Sequence, residues 1–128
     1  MKICFSTIGC PEWHWADIIA MARDLRYDGI EVRGVRNELF APSFKYFLPD
    51  RIDETLERLR ELNLSIPCLT TGCELQLPHL RQQNLAEMKQ YIDLAKKLGT
   101  PYIRVLGDGV TAPHADIDAA LVRELCIE

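Results

Sequence analysis

Four side chains are candidates for contact with a small polar ligand: Trp13, Glu31, Arg33 and Arg104. Glu31 and Arg33 alternate with β-branched residues in one apolar run, and Arg104 interrupts another. A carboxylate accepts hydrogen bonds, an arginine fork donates several, and an indole ring can form a pocket wall. Because a buried charge is costly unless it is paired, these residues predict a polar, partly wet cavity. A purely structural ion pair between Glu31 and Arg33 or Arg104 is the alternative.

Histidines and carboxylates do not predict a metal site in this chain. His14, His79 and His114, with Glu12 and Glu31, are the available ligand types. No two histidines have the i, i+4 spacing or the short ligand motif that places both on one metal ion. We expect the histidines to lie in loops or at the surface.

Other local motifs carry little chemistry. Residues 107–112 match the G-x-G-x-x-A spacing of dinucleotide loops, but Pro113 interrupts the helix that should follow, so we interpret the segment as a turn. The chain has no Gly-x-Ser-x-Gly elbow and no phosphate-binding P-loop. Its five cysteines include no Cys-x-x-Cys pair, which favours reduced thiols over disulfides or a zinc ribbon.

Composition predicts one domain over residues 1–128. The chain is 48% hydrophobic and 27% charged, which suffices for one compact core. Its net charge of −4, with both signs interspersed, argues against nucleic acid or a membrane surface as the partner. With neither a membrane span nor a secretory leader evident in the sequence, we expect a soluble cytoplasmic protein.

The apolar pattern alternates between strand and helix periodicities. Short runs at 2–8, 29–35, 65–71 and 102–107 predict strands, and i, i+3, i+4 patterns at 15–25, 52–62, 85–98 and 117–125 predict helices. We expect Asp50 to cap the second helix, Asn84 and Glu87 to form a capping box on the third, and Gly99 to end it. The long segment 34–49 holds several aromatic residues, which either line a pocket or form a lid or partner contact.

This βαβαβαβα order requires parallel strands. Two architectures are compatible with it: an open doubly wound sheet, or half of a (β/α)₈ barrel. Strands covered by helices on both faces should be almost continuously apolar, yet Glu31, Arg33 and Arg104 interrupt theirs. Strand parity therefore favours an α/β half-barrel whose second face meets a lumen.

Four stretches resemble a known family. They are residues 2–7, 27–33, 62–67 and 94–105, and the most specific is Asp28-Gly29-Ile30-Glu31-Val32-Arg33. Together they resemble the N-terminal half of the sugar phosphate isomerase/epimerase family, the xylose isomerase-like TIM barrels. The likeness extends over essentially the whole chain.

The resemblance implies metal-dependent proton transfer next to a sugar carbonyl. It also implies that the metal ligands come from the last four strands of the barrel, so we expect this chain to be inactive alone, without a cofactor of its own. A divalent metal is expected only for a complete barrel. Trp13, Glu31, Arg33 and Arg104 would then contact a sugar or sugar phosphate, and the catalytic residues stay unassigned. A non-catalytic binding or assembly module is the alternative function.

An isolated half-barrel would leave its first and last strands as open edges. We therefore expect completion by a homo-oligomer or by a separate C-terminal half.

Overall fold

The computed structural model describes residues 1–75 and 77–106, and the elements within these ranges alternate between strands and helices. The strands are β1 (Cys4–Ser6), β2 (Gly29–Glu31), β3 (Cys68–Glu74) and β4 (Tyr102–Leu106). The α-helices are α1 (Trp15–Asp24), α2 (Ile52–Glu61) and α3 (Arg81–Leu98). No helix in the described ranges is long and apolar enough to cross a membrane.

The strands are parallel and lie in chain order. β1 pairs with β2, and β3 pairs with β4. Parallel bridges from Gly29 to Ser65 and from Val32 to Leu69 connect these two pairs. A doubly wound sheet reverses its strand order at a switch point, whereas a barrel adds each strand beside the previous one. The observed order β1-β2-β3-β4 is that of a barrel segment.

One face of the sheet packs against the helices. Ile30, Val32 and Leu69 are fully buried and belong to one core with Ile18 of α1 and Tyr91 of α3. Since side chains alternate along a strand, the residues between them lie on the other face. The apolar half of each strand therefore anchors the helices and leaves the polar half facing away from them.

The aromatic residues of segment 34–49 are largely part of this core. Phe44 and Phe47 are buried and contact Trp15 edge-on, with ring centroids 5.5 and 5.7 Å away. This packing holds the long connection between β2 and α2 against α1. Phe47 is therefore a core residue rather than part of a pocket or lid, whereas Phe44 packs in the core and also lines a cavity, as one of the two alternatives expected from sequence holds.

Helix boundaries agree with the sequence at some ends and differ at others. Gly99 ends α3 in a left-handed conformation, at φ 68°, as predicted. The predicted Asp50 cap is wrong, because Arg51 precedes α2 and makes no side-chain capping bond. The predicted capping box is also wrong. Asn84 lies one turn inside α3, where its buried amide donates to the carbonyl oxygen of Glu74 at 2.9 Å, a tertiary bond that replaces local capping.

β3 is displaced toward the C-terminus relative to the predicted run. It begins at Cys68, directly after Pro67, and extends to Glu74, with an irregularity in its pairing to β4 between Thr70 and Glu74. Proline lacks an N–H group and cannot continue a ladder, which accounts for the start. The predicted helix at 117–125 and the turn at 107–112 lie outside the described residues.

Gly29 allows β2 to approach Ser65, in the segment that leads into β3. A Cβ atom at this position would lie 2.8 Å from the Ser65 carbonyl oxygen and 3.0 Å from the Cys4 sulfur. We predict that Gly29→Ala lowers the free energy of unfolding by about 1–3 kcal/mol, because the backbone oxygen cannot move without disturbing the ladder. Gly72→Ala is the matched control, since its Cβ would meet nothing within 4 Å. Equal urea midpoints for both variants would contradict this prediction.

Candidate functional site

Among the described residues, the face of the sheet opposite the apolar core carries polar side chains from each strand. Ser6 pairs in register with Glu31, and Thr70 pairs in register with Arg104. Parallel partners in register lie on the same face, and the bridge from Val32 to Leu69 puts Glu31 and Thr70 on a common face as well. We call Ser6, Glu31, Thr70 and Arg104 the polar face.

A hydrogen bond between neighbouring strands fixes Glu31. The Thr70 hydroxyl donates to Oε1 of Glu31 at 2.6 Å, a length typical of a charge-assisted bond. Thr70 is only 1% exposed, whereas Glu31 is partly accessible. Oε1 thus already accepts the hydrogen bond from Thr70. The other carboxylate oxygen can still accept a hydrogen bond from a ligand hydroxyl.

Glu31 forms no ion pair with either arginine. Ion pairs in the described ranges join Arg23 to Asp24, Arg51 to Glu54 and Arg58 to Glu61, and all of these residues are exposed. The structural ion pair proposed as an alternative from sequence is therefore absent from this part of the chain. The hydrogen bond from Thr70 takes its place. Strand alternation could have revealed this partner, because Thr70 follows the apolar Leu69 and therefore lies on the opposite face of the strand.

Arg104 is exposed on β4, at the position registered with Thr70. Its charge reaches the neighbouring Cys68 thiol. Burial is the main cause that raises the pKa of Cys68, Glu31 raises it further, and Arg104 and Thr70 partly offset both effects. Glu31 and Arg104 therefore both influence the pKa of Cys68. Because that pKa is raised, Cys68 is a neutral thiol rather than a nucleophile at neutral pH.

Arg33 lies two residues beyond Glu31, the last residue of β2. Its backbone N–H and that of Gly34 both donate to the Thr7 hydroxyl oxygen, at 3.0 and 3.2 Å. The guanidinium is half-buried, and its charge reaches the buried Tyr91 hydroxyl. Burial raises the pKa of Tyr91, and the Ala41 amide and Arg33 partly offset that rise. Arg33 thus lies near the carboxyl end of the sheet, beyond the Glu31–Thr70 pair.

Trp13 lies in a separate groove. As parity predicted, Trp15 is buried and Trp13 is more accessible, at 37% exposed. Trp13 lines an apolar groove along β1 together with Phe5 and Ile8, and this groove also reaches Ser6 of the polar face. The structure therefore brings Glu31 and Arg104 to one face, places Arg33 at its end, and leaves Trp13 in a separate groove that shares Ser6 with that face.

The structure contains a polar cavity that the sequence did not predict. It lies between the connection that follows β1 and the connection that follows β2. It measures about 490 Å³, and its polar lining includes His14, Arg36, Asn37 and Lys45. Carboxyl ends of parallel strands are where α/β folds bind ligands. Loop residues of this kind show no periodicity, so only the three-dimensional arrangement reveals them.

No group of three histidine, cysteine, aspartate or glutamate side chains within residues 1–75 and 77–106 is placed to hold a metal ion. His14 precedes α1, and His79 is exposed in the 3-10 turn Pro78–Leu80. His114 lies outside the described residues. Burial raises the pKa of Cys73 to about 11, so this thiol is protonated at neutral pH. Neither Cys68 nor Cys73 is thus an activated nucleophile at neutral pH.

A family model described as xylose isomerase-like TIM barrel matches residues 19–126. The chain belongs to this family. The family resemblance derived from the sequence is thereby confirmed, and the parallel α/β fold agrees with a fragment of such a barrel. No curated protein matches the chain.

Two crystal structures show the same fold. The probable 3-DHS dehydratase AsbF involved in petrobactin synthesis from Bacillus anthracis aligns with a TM-score of 0.68 and 21% identity, over 84% of this chain and 38% of that one. A xylose isomerase domain protein from Planctomyces limnophilus aligns with a TM-score of 0.61 and 16% identity, over 98% and 47%. The chain spans less than half the length of either structure.

The hydrogen bond between Glu31 and Thr70 should be measurable as a coupling. We predict that Thr70→Val and Glu31→Met each destabilise the fold and that the double variant loses less than the sum, because each single variant already removes the hydrogen bond. The coupling should be about 1.5–3 kcal/mol, typical of a bond to a charged group. Urea unfolding of the four proteins measures it. Strictly additive effects would show that the contact contributes nothing to stability.

Proposed function

We propose that this chain supplies one wall of the substrate cavity in a barrel of the sugar phosphate isomerase/epimerase type. The main support for this proposal is the polar face. There Thr70 orients Glu31, and Arg104 on β4 lies in register with Thr70. Family membership supports this proposal. The observation explains why charged residues occupy strands whose other face is fully apolar.

Each polar side chain has a defined task in this proposal. Glu31 accepts hydrogen bonds from vicinal sugar hydroxyls with the oxygen that Thr70 leaves free. Arg104 and Arg33 donate to a carbonyl or to anionic oxygens of the substrate. Trp13 contributes an apolar wall where its groove meets Ser6. The strands provide a rigid base, so a bound sugar is oriented at little entropic cost.

The reaction proposed for the completed barrel is proton transfer next to a sugar carbonyl, assisted by a divalent metal. The described residues do not fit the metal, because no group of three suitable ligands lies together among them. In this proposal the metal ligands and the base come from outside these residues, and this chain has no turnover alone. Residues 1–75 and 77–106 orient the substrate only.

Completion of the barrel is proposed to come from a second copy or from a separate C-terminal half. Within the described ranges, β1 and β4 each pair on one side only. Ile8 and Leu25 beside β1 are 66% and 60% exposed, and Tyr102 on β4 is 69% exposed. Open edges with apolar neighbours favour pairing with further strands. The same feature supports the alternative function, a non-catalytic assembly module.

Sugar binding tests the proposed wall. We predict that Glu31→Gln and Arg104→Met each weaken binding of hexoses and hexose phosphates about ten-fold, because each removes a charged hydrogen-bonding partner. Isothermal titration calorimetry measures the change, with the assembled protein in the cell. Glu57→Gln and Arg60→Met on the exposed surface of α2 are matched controls. Equal affinities for site and control variants would refute the wall.

Light scattering after size-exclusion chromatography tests completion by a second copy. We predict a mass above that of one chain at micromolar concentration, and a lower mass for the variant carrying Ile8→Lys and Leu25→Lys, which charges the groove beside β1. Leu39→Lys, at an exposed loop position, is the control. A well-folded monomer at all concentrations would exclude the homo-oligomer.

A further inference from the structure

The cavity between the β1–α1 and β2–α2 connections carries a local excess of positive charge. Two basic side chains, Arg36 and Lys45, line it together with one carboxylate, Glu38. Within the described part of the chain, neither Arg36 nor Lys45 forms an ion pair. The chain as a whole is acidic, at net charge −4, so this concentration of cations is not a general surface property.

The carboxylate of Glu38 is engaged by the backbone. Its Oε1 accepts a hydrogen bond from the Phe40 N–H at 3.1 Å, which stabilises the turn leading to the 3-10 segment Ala41–Ser43. The Glu38 backbone also closes a tight hairpin, with Val35 and Glu38 bonded in both directions at 2.9 and 3.1 Å. The Glu38 carboxylate is thus engaged by the loop itself, whereas Arg36 and Lys45 have no carboxylate partner within the described residues.

Arg36 is presented from the tip of that hairpin in a strained backbone conformation. Its φ is 55°, a region that non-glycine residues rarely adopt. One guanidinium nitrogen lies 3.2 Å from Nε2 and 3.5 Å from Nδ1 of His14. The imidazole therefore holds one edge of the guanidinium, and the other N–H groups stay available for an anion. Backbone strain of this kind at a loop tip is often associated with ligand sites.

The remaining side chains complete an anion cradle. The Lys45 ammonium lies 4.8 Å from the centre of the Tyr46 ring, so a cation–π contact holds it at the cavity. Asn37 follows Arg36 and adds an amide donor to the lining. The Ser43 hydroxyl instead donates to the Phe40 carbonyl at 2.9 Å and supports the loop.

We propose that this cavity binds the phosphate group of a phosphorylated substrate, with Arg36 as the principal contact and Lys45 as the second. An arginine fork matches phosphate oxygens geometrically, and a lysine adds a point charge. The cavity lies at the same end of the sheet as Arg33, after the carboxyl ends of β1 and β2. This inference rests on the proposed function and narrows its substrate class to phosphate monoesters.

Arg36 and Arg26 provide a matched pair of variants. Both are exposed and both have positive φ, 55° and 57°, so replacement by methionine imposes the same backbone cost at each site. We expect Arg36→Met to weaken binding of inorganic phosphate and of a hexose phosphate at least about ten-fold, while Arg26→Met leaves both unchanged. Lys45→Met should weaken both a few-fold relative to Lys89→Met on the surface of α3.

Isothermal titration calorimetry at low ionic strength measures these affinities, and circular dichroism melts confirm that every variant folds. Equal affinities in the Arg36 and Arg26 variants would overturn the proposal, as would wild-type protein that does not bind inorganic phosphate.

The unphosphorylated hexose separates this proposal from the proposed function. If Glu31→Gln weakens hexose binding but Arg36→Met does not weaken phosphate binding, only the phosphate site fails. If Glu31→Gln has no effect on hexose binding but Arg36→Met weakens phosphate binding, only the sugar wall fails.

Discussion

The bond from Thr70 to Glu31 is the constraint on which the arrangement of the polar face depends. A carboxylate at the end of a parallel strand loses part of its hydration when its neighbours bury it, and a fixed donor must replace that hydration. The donor here is a buried hydroxyl on the neighbouring strand at 2.6 Å, rather than a flexible cation. A neutral donor leaves the negative charge uncompensated. Within the described residues, Glu31, Arg33 and Arg104 therefore have no ion-pair partner.

That arrangement requires close and regular contact between β2 and β3. Gly29 lets the backbone of β2 approach Ser65, and the Val32–Leu69 bridge sets the faces. Ile30, Val32 and Leu69 bury their side chains among the helices, which fixes the sheet from the opposite side. Because strand side chains alternate strictly, the packing of the apolar face determines where Glu31 and Thr70 point. Core packing and the geometry of the polar face are thus two consequences of one register.

Much of this could be predicted from the sequence because alternation and helical periodicity are strong local signals. They gave the strand order, most of the helix limits and the common face of Glu31 and Arg104. The errors at Asp50 and Asn84 arose where tertiary contacts override local capping, since the Asn84 amide serves β3 instead. The burial of Phe47 was not predicted, because loop aromatics have no period that shows whether they are buried. The cavity around Arg36 depends on a positive φ and on a contact with His14, neither of which leaves a pattern in the chain.

The two proposed binding regions differ in how they are built, and this difference has a functional consequence. The polar face rests on strands, whose positions are fixed by the core, so it suits the part of a substrate where atoms must be placed accurately. The cavity at Arg36 rests on a hairpin and a loop, whose aromatic anchors Phe44 and Phe47 tie it to Trp15. A phosphate group needs charge more than exact placement, and a loop can provide that. Remote binding energy from the phosphate would then hold the sugar against Glu31 and Arg104, where orientation matters.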